Sequence, residues 1–216
     1  MTLLDNPVQL IIMLFCLSLL PLFAVMGTSF LKLAIVFSML RNALGIQQIP
    51  PNMAIYGLAL ILTLFTMAPV GLQINENLKA NPIVFDSPNV IEQISTQAIA
   101  PYRDFLQKNS SKTQVDFFSN IGHKTWPDKY KVELSKDSLL VMLPAFTMSQ
   151  LVEAFKIGLL IYLPFVAIDL IVSNILLAMG MMMVSPMTIS LPFKLLIFIL
   201  MGGWEKLVGQ LMVSFS

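Results

Sequence analysis

Four charged side chains interrupt the apolar stretches 139–183 and 187–203: Glu153, Lys156, Asp169 and Lys194. A charge held at mid-bilayer costs several kcal/mol on insertion scales, so such residues normally face a partner or an aqueous cavity. Glu153 and Lys156 stand three apart, on one face if the segment is helical, and can pair locally. The plain alternative is an ordinary ion pair near a helix end. Asp169 lies in IDLIVSNILLAM, which holds no cation. Lys194, in the next apolar stretch, is the nearest candidate partner. A hairpin turning near 181–190 would bring the two together, within one subunit or between neighbours. In the competing arrangement Lys194 snorkels to the headgroups while Asp169 sits in water.

The run MGMMM at 179–183 is the second unusual feature, with four methionines in five positions ahead of Pro186. Methionine is flexible and polarizable and fills changing shapes without demanding fixed geometry. The flanking Gly180 and Pro186 suit a loop better than a packed helix face. Met181, Met182 and Met183 are therefore candidates for a deformable seal around a pore. Ordinary apolar packing, in a chain with 15 Met, is the other explanation.

Enzyme chemistry has little to stand on. His123 is the single histidine and sits in a polar stretch beside Gly122 and Lys124, where a solvated role is expected. Cys16 is the single cysteine and lies in an apolar run, which excludes an internal disulfide or a cysteine-only metal site. There is no phosphate-cradling GxxxxGK and no Gly-rich dinucleotide fingerprint. The expectation is a protein that is not an enzyme and uses no cofactor and no metal. A net charge of +1 gives no reason to expect nucleic acid as a partner.

The elements that must position these residues are hydrophobic. The 216 residues are 56% hydrophobic and 12% charged, against about 25% charged in a soluble domain. Sixteen of the 25 charged side chains fall in 73–138, eight basic and eight acidic. This predicts N-terminal hydrophobic helices at 1–72, a polar insert at 73–138 and C-terminal hydrophobic helices with the methionine-rich loop at 139–216. Four apolar stretches follow, at 8–40, 54–72, 139–183 and 187–203. The first, as one straight helix, would be roughly 50 Å long against a hydrocarbon core of about 30 Å. Pro144 and Pro164 are expected to divide the third. The fold class is an all-α membrane protein of about four long, proline-broken helical segments with a polar helical insert between the second and third.

Orientation rests on Arg41 and Lys194, which four antiparallel spans place on one side, the cytoplasmic one. Both termini and the insert then face outward, to the periplasm. The opening MTLLDNP carries no Lys or Arg, so no cleaved signal peptide is expected. Within the insert, Ile91, Ile94 and Ala98, then Tyr102, Phe105 and Leu106, recur at helical spacing and predict two short amphipathic helices. Val115, Phe117 and Phe118 are placed to pack beside them, and 109–113 reads as a mobile loop. The insert is expected to pack against copies of itself through Ile91, Ile94, Phe105 and Leu106.

Five ordered motifs carry a family resemblance: RNALGIQQIPPN at 41–52, PAFTMSQLVEAFKIGL at 144–159, IYLPFVAIDL at 161–170, AMGMMMVSP at 178–186 and LPFKLLIF at 191–198. Together they resemble the FliP/SctR family, the larger export-apparatus subunit of type III secretion systems, over nearly the whole chain outside the insert. The resemblance implies an inner-membrane subunit that assembles in about five copies with two smaller membrane subunits, FliQ/SctS-like and FliR/SctT-like. It implies a tapering export gate for unfolded proteins, with Met181, Met182 and Met183 as its gasket and Asp169 and Lys194 as an interaction needed for assembly or export. It also implies that assembly can lift the helices out of the plain bilayer. Many members of the family carry Glu where this chain has Gln150 and Asp where it has Gly202. The lack of a cleaved signal peptide favours the injectisome branch over the flagellar one.

A rival from another class is a secondary transporter or ion channel with Asp169 and Lys194 as its relay, since broken helices and buried charges suit that class too. A third is an assembly chaperone absent from the mature machine. Solute uptake by the chain alone, or the small membrane proteins that co-purify with it, separates these readings.

Overall fold

The computed structural model describes residues 7–46, 49–81, 93–133 and 135–215. Among them there is no strand. Eight α-helices follow in order: α1 (Pro7–Met26), α2 (Phe30–Leu44), α3 (Asn52–Ala80), α4 (Ala100–Lys108), α5 (Lys112–Thr125), α6 (Leu139–Ala178), α7 (Pro186–Leu200) and α8 (Gly203–Val213). A π-helical turn at Ser95–Ile99 leads into α4, and a 3-10 turn at Asp128–Glu133 precedes α6. The chain is an all-α membrane protein. Helices α3 and α6 are each long and apolar enough to cross a membrane, and the count reaches four if α1 with α2 and α7 with α8 each make one bent span.

Helix α2 is the centre. Its Leu33, Val36 and Phe37 pack with Ile55 and Ala59 of α3, Ala154 of α6 and Leu211 of α8. One turn on, Leu40, Ala43 and Leu44 pack with Phe165 of α6 and Phe198 of α7. The approach of α2 to α6 depends on Gly158, where a Cβ would collide with the side chain of Met39. Outside this centre the helices present large apolar side chains outward, including Phe15, Phe65 and Leu160. Apolar area on that scale calls for lipid or other subunits.

Pro144 and Pro164 do not divide the third stretch. Helix α6 runs through both for 40 residues, roughly 60 Å. A proline removes one backbone hydrogen bond, but neighbouring helices and hydroxyl side chains stabilise a helix that contains one in apolar surroundings. Near Pro144, Thr147 Oγ1 donates to Leu143 O at 2.9 Å and Ser149 Oγ to Ala145 O at 2.7 Å. Likewise α3 runs through Pro69 and carries Glu76 and Lys79 beyond the apolar run.

The first stretch does break, by 58° between α1 and α2. Gly27 lies in the break, and a Cβ there would collide with the hydroxyl of Tyr102. One carbonyl freed by the break is answered from the insert: Tyr102 Oη donates to Gly27 O at 2.7 Å. Thr147 Oγ1 of α6, whose one proton is shared with the shorter contact to Leu143 O, lies 3.1 Å from Met26 O. The insert is thus latched to the helix break.

The insert packs inward. Phe105 and Leu106 are buried against Met142 and Phe146 of α6 and against Phe215. They are therefore not available to neighbouring copies, contrary to the sequence expectation; α6 lies alongside and takes their apolar area. Ile94 is half-buried, and Ile91 lies outside the described residues. The segment 109–113, expected as a mobile loop, is a tight turn into α5. Gln150 Nε2 donates to Asn109 O at 2.8 Å, and Ser111 N donates to Ser149 Oγ at 2.9 Å.

Burial pushes the Tyr102 hydroxyl up from 10.0 to about 12. The unfolded chain ionises first, so this contribution to stability is complete below pH 10 and is lost as pH rises through 12. Tyr102→Phe should cost about 1 kcal/mol at neutral pH and flatten the decline above pH 10. Unfolding in detergent across pH 8–12, compared with wild type, checks both effects.

Candidate functional site

Three helices converge on one ammonium group. Lys194, on α7, is 1% exposed. Its Nζ donates to Asp169 Oδ2 of α6 at 2.6 Å and to Ala43 O in the last turn of α2 at 3.2 Å. Ser190, one turn before Lys194 on α7, donates to the other carboxylate oxygen, Asp169 Oδ1, at 2.5 Å. The spacing of Ser190 and Lys194 puts both on one face of α7. A cation at the C-terminal carbonyls of α2 is favoured by the helix dipole, and Gly45, at φ +79°, turns the chain away there. The pairing of Asp169 with Lys194 is within one chain, and the snorkelling alternative does not apply, because the lysine side chain is enclosed.

Glu153 and Lys156 do not pair with each other. Glu153 Oε2 instead accepts from Lys32 Nζ of α2 at 2.7 Å. Lys32 is fully buried, and its ammonium also lies 4.3 Å from the centre of the Phe215 ring. A buried cation on the adjoining helix outcompetes an exposed neighbour on the same helix, because an enclosed charge left without a partner costs more than an exposed one, and Lys32 is fully enclosed. Lys156 is exposed. Lys32 is the residue that sequence reasoning passed over. Its signal was present, as a lone cation in the stretch 8–40, but the partner is 121 positions away. Arg41, read as an orientation signal, donates to Asn52 Oδ1 at 2.6 Å across the α2–α3 connection.

The methionines sit on the turn between α6 and α7. Gly180, at φ +73°, begins it, Met181 N closes back onto Leu176 O at 2.9 Å, and Pro186 starts α7. Exposure rises along the turn, from 43% at Met181 to 81% at Met182 and 101% at Met183. Within this chain Met183 is not a packing residue. Of the two family departures, Gln150 is buried and holds the α4–α5 turn, and Gly202, at φ +62°, sits at the 62° bend between α7 and α8. That conformation favours Gly but also admits Asp. Among the described residues no group of three or more His, Cys, Asp or Glu is placed to hold a metal.

The chain matches the FliP family over residues 13–211. It is 61% identical to "Virulence protein YscR" of Salmonella typhimurium, over 100% of each chain. It is 54% identical to "Yop proteins translocation protein R" of Yersinia pestis, over 99% of this chain and 98% of the relative. It is 43% identical to "Harpin secretion protein HrcR" of Erwinia amylovora, over 97% of each.

Asp169→Ala strands an enclosed ammonium and should cost about 3 kcal/mol, the lower end for a buried pair, because the Asp169 side chain is 32% exposed. Asp169→Ala combined with Lys194→Met, which removes the charge at similar volume, should recover most of that loss. Unfolding midpoints in detergent for the single and double variants check the coupling.

Proposed function

The chain belongs to the FliP family, and on that premise we propose that it is a pore-forming structural subunit of a type III secretion export gate of the injectisome type. About five copies join two smaller membrane subunits in the inner membrane and pass unfolded proteins. Met181, Met182 and Met183 form the constriction, the Asp169–Lys194 junction holds each copy in the shape that assembles, and the insert faces the periplasm. The subunit positions and seals; it does no covalent chemistry.

The observation that carries this reading is the exposure of the methionine turn. Three flexible apolar side chains stand free at the end of a 40-residue helix, with Met183 wholly exposed. Such side chains close around nothing and yield to a polypeptide of any sequence, because they make no directional bonds. An apolar constriction also excludes a continuous water column by dewetting. The orientation gains support from Lys194, whose ammonium lies at Ala43 O, two positions from Arg41, so both signals occupy one end of the bundle. The ion-relay reading is weaker, since Lys194 is enclosed and engaged by Asp169 and Ala43. A relay group needs access to water on its route.

Replacing all three methionines with Ala should leave assembly intact and raise leakage of small solutes through cells that make the complex. Leakage equal to wild type from a normally assembled triple variant would sink the gasket role. For orientation, an enzyme reporter fused at Ser110 should be active only in the periplasm. Activity confined to the cytoplasm reverses the topology.

A further inference from the structure

In the apolar parts of the chain, most charges meet a partner within it. Lys32 meets Glu153, Lys194 meets Asp169, and Arg41 meets Asn52. Three exposed ones do not: Lys156 on α6 and Glu205 and Lys206 on α8 form no ion pair among the described residues. Glu205 and Lys206 are adjacent and cannot satisfy each other, because successive residues project about 100° apart on a helix. Exposed unpaired charges amid apolar helices are costly against lipid.

The two flanks of α8 differ. Lys206, with Gln210 one turn on, lines a trough of about 420 Å³ between α6, α7 and α8, whose floor includes Ile157, Leu160 and Ile161. Lys156 does not line the trough itself but is exposed one turn before Leu160, which does, on the same side of α6. The trough is therefore apolar within and cationic at its edge. Glu205 is exposed and not among the lining residues, turned about 100° from Lys206 around α8. Gly209, one turn further along the Glu205 flank, has only open space where a Cβ would stand, so a neighbouring surface can approach the helix backbone there.

We propose that a second copy of this chain occupies the trough, with its Glu205 flank docked between Lys156 and Lys206. Charge selects the occupant. Among the described residues of the apolar parts, Glu205, Lys156 and Lys206 are the exposed charges without an ion pair, and the acid of one copy answers the cations of the next. An acidic flank on a cationic trough is a heterologous contact, which makes rings when the rotation closes. This inference rests on the export-gate reading, in which several copies assemble, and adds the surface by which they meet.

The test uses the full chain in membranes with the rest of the apparatus, extracted in detergent and resolved by native electrophoresis. Glu205→Lys places three cations together and should lower the ratio of oligomer to single chain by at least about tenfold. Lys156→Glu with Lys206→Glu should do the same. All three substitutions together should restore the oligomer to within about threefold of wild type. An oligomer that survives Glu205→Lys overturns the proposal, as does a triple variant that stays dispersed. So does a Glu205→Lys chain that unfolds, since Glu205 would then serve its own copy. Loss of a smaller membrane subunit from intact oligomers also overturns it, because the trough would hold that subunit instead. A wild type that never forms the oligomer overturns both this inference and the export-gate reading. A wild type that oligomerises and exports while Glu205→Lys changes nothing overturns this one alone.

Discussion

Helices in apolar surroundings cannot leave a carbonyl or a charge unanswered, and much of this molecule follows from how α2 meets that constraint. Its last turn presents free carbonyls, and Lys194 of α7 answers one of them while bound to Asp169 of α6. Its first turns carry Lys32, answered by Glu153 of α6 and capped by the ring of Phe215. Both ends of the most buried helix are therefore tied to the longest one by a cation. Ionic pairs in low dielectric are weak as net stabilisers but severe when half of one is removed. They fix which surfaces meet, and the apolar clusters between them fill the space.

A second consequence concerns the insert. It is polar in composition, yet it does not stand apart from the apolar helices. Phe105 and Leu106 enter the same cluster as Met142, Phe146 and Phe215, and Tyr102 reaches the break between α1 and α2. Few apolar side chains in a short polar segment make too small a core for independent folding. Packing onto α6 is how those side chains become buried.

The fold class was legible because mean hydropathy of +0.80 and the clustering of charge in 73–138 leave few alternatives. The juxtaposition of Asp169 and Lys194 was legible too, since each was the other's nearest candidate across a short turn. What failed was local reasoning about groups whose fate is set at long range. Pro144 and Pro164 read as breaks, yet α6 continues through both with other helices packed alongside. Glu153 read as a partner for Lys156, because spacing reports only neighbours on the same helix. Phe105 and Leu106 read as a surface for other copies, because periodicity shows that a face is apolar without showing what covers it.

Helix α6 also has a mechanical meaning. An unbroken rod of roughly 60 Å is about twice the hydrocarbon thickness, with the methionine turn at one end and the latched insert at the other. It is held to α2 at three places along its length: by Glu153 to Lys32, by Gly158 against Met39, and by Asp169 through Lys194 to the carbonyl of Ala43. Those places span roughly 24 Å of the rod. The methionine turn and the insert thus hang from one continuous element whose middle is fixed, so the distance between them is set by helix rise alone.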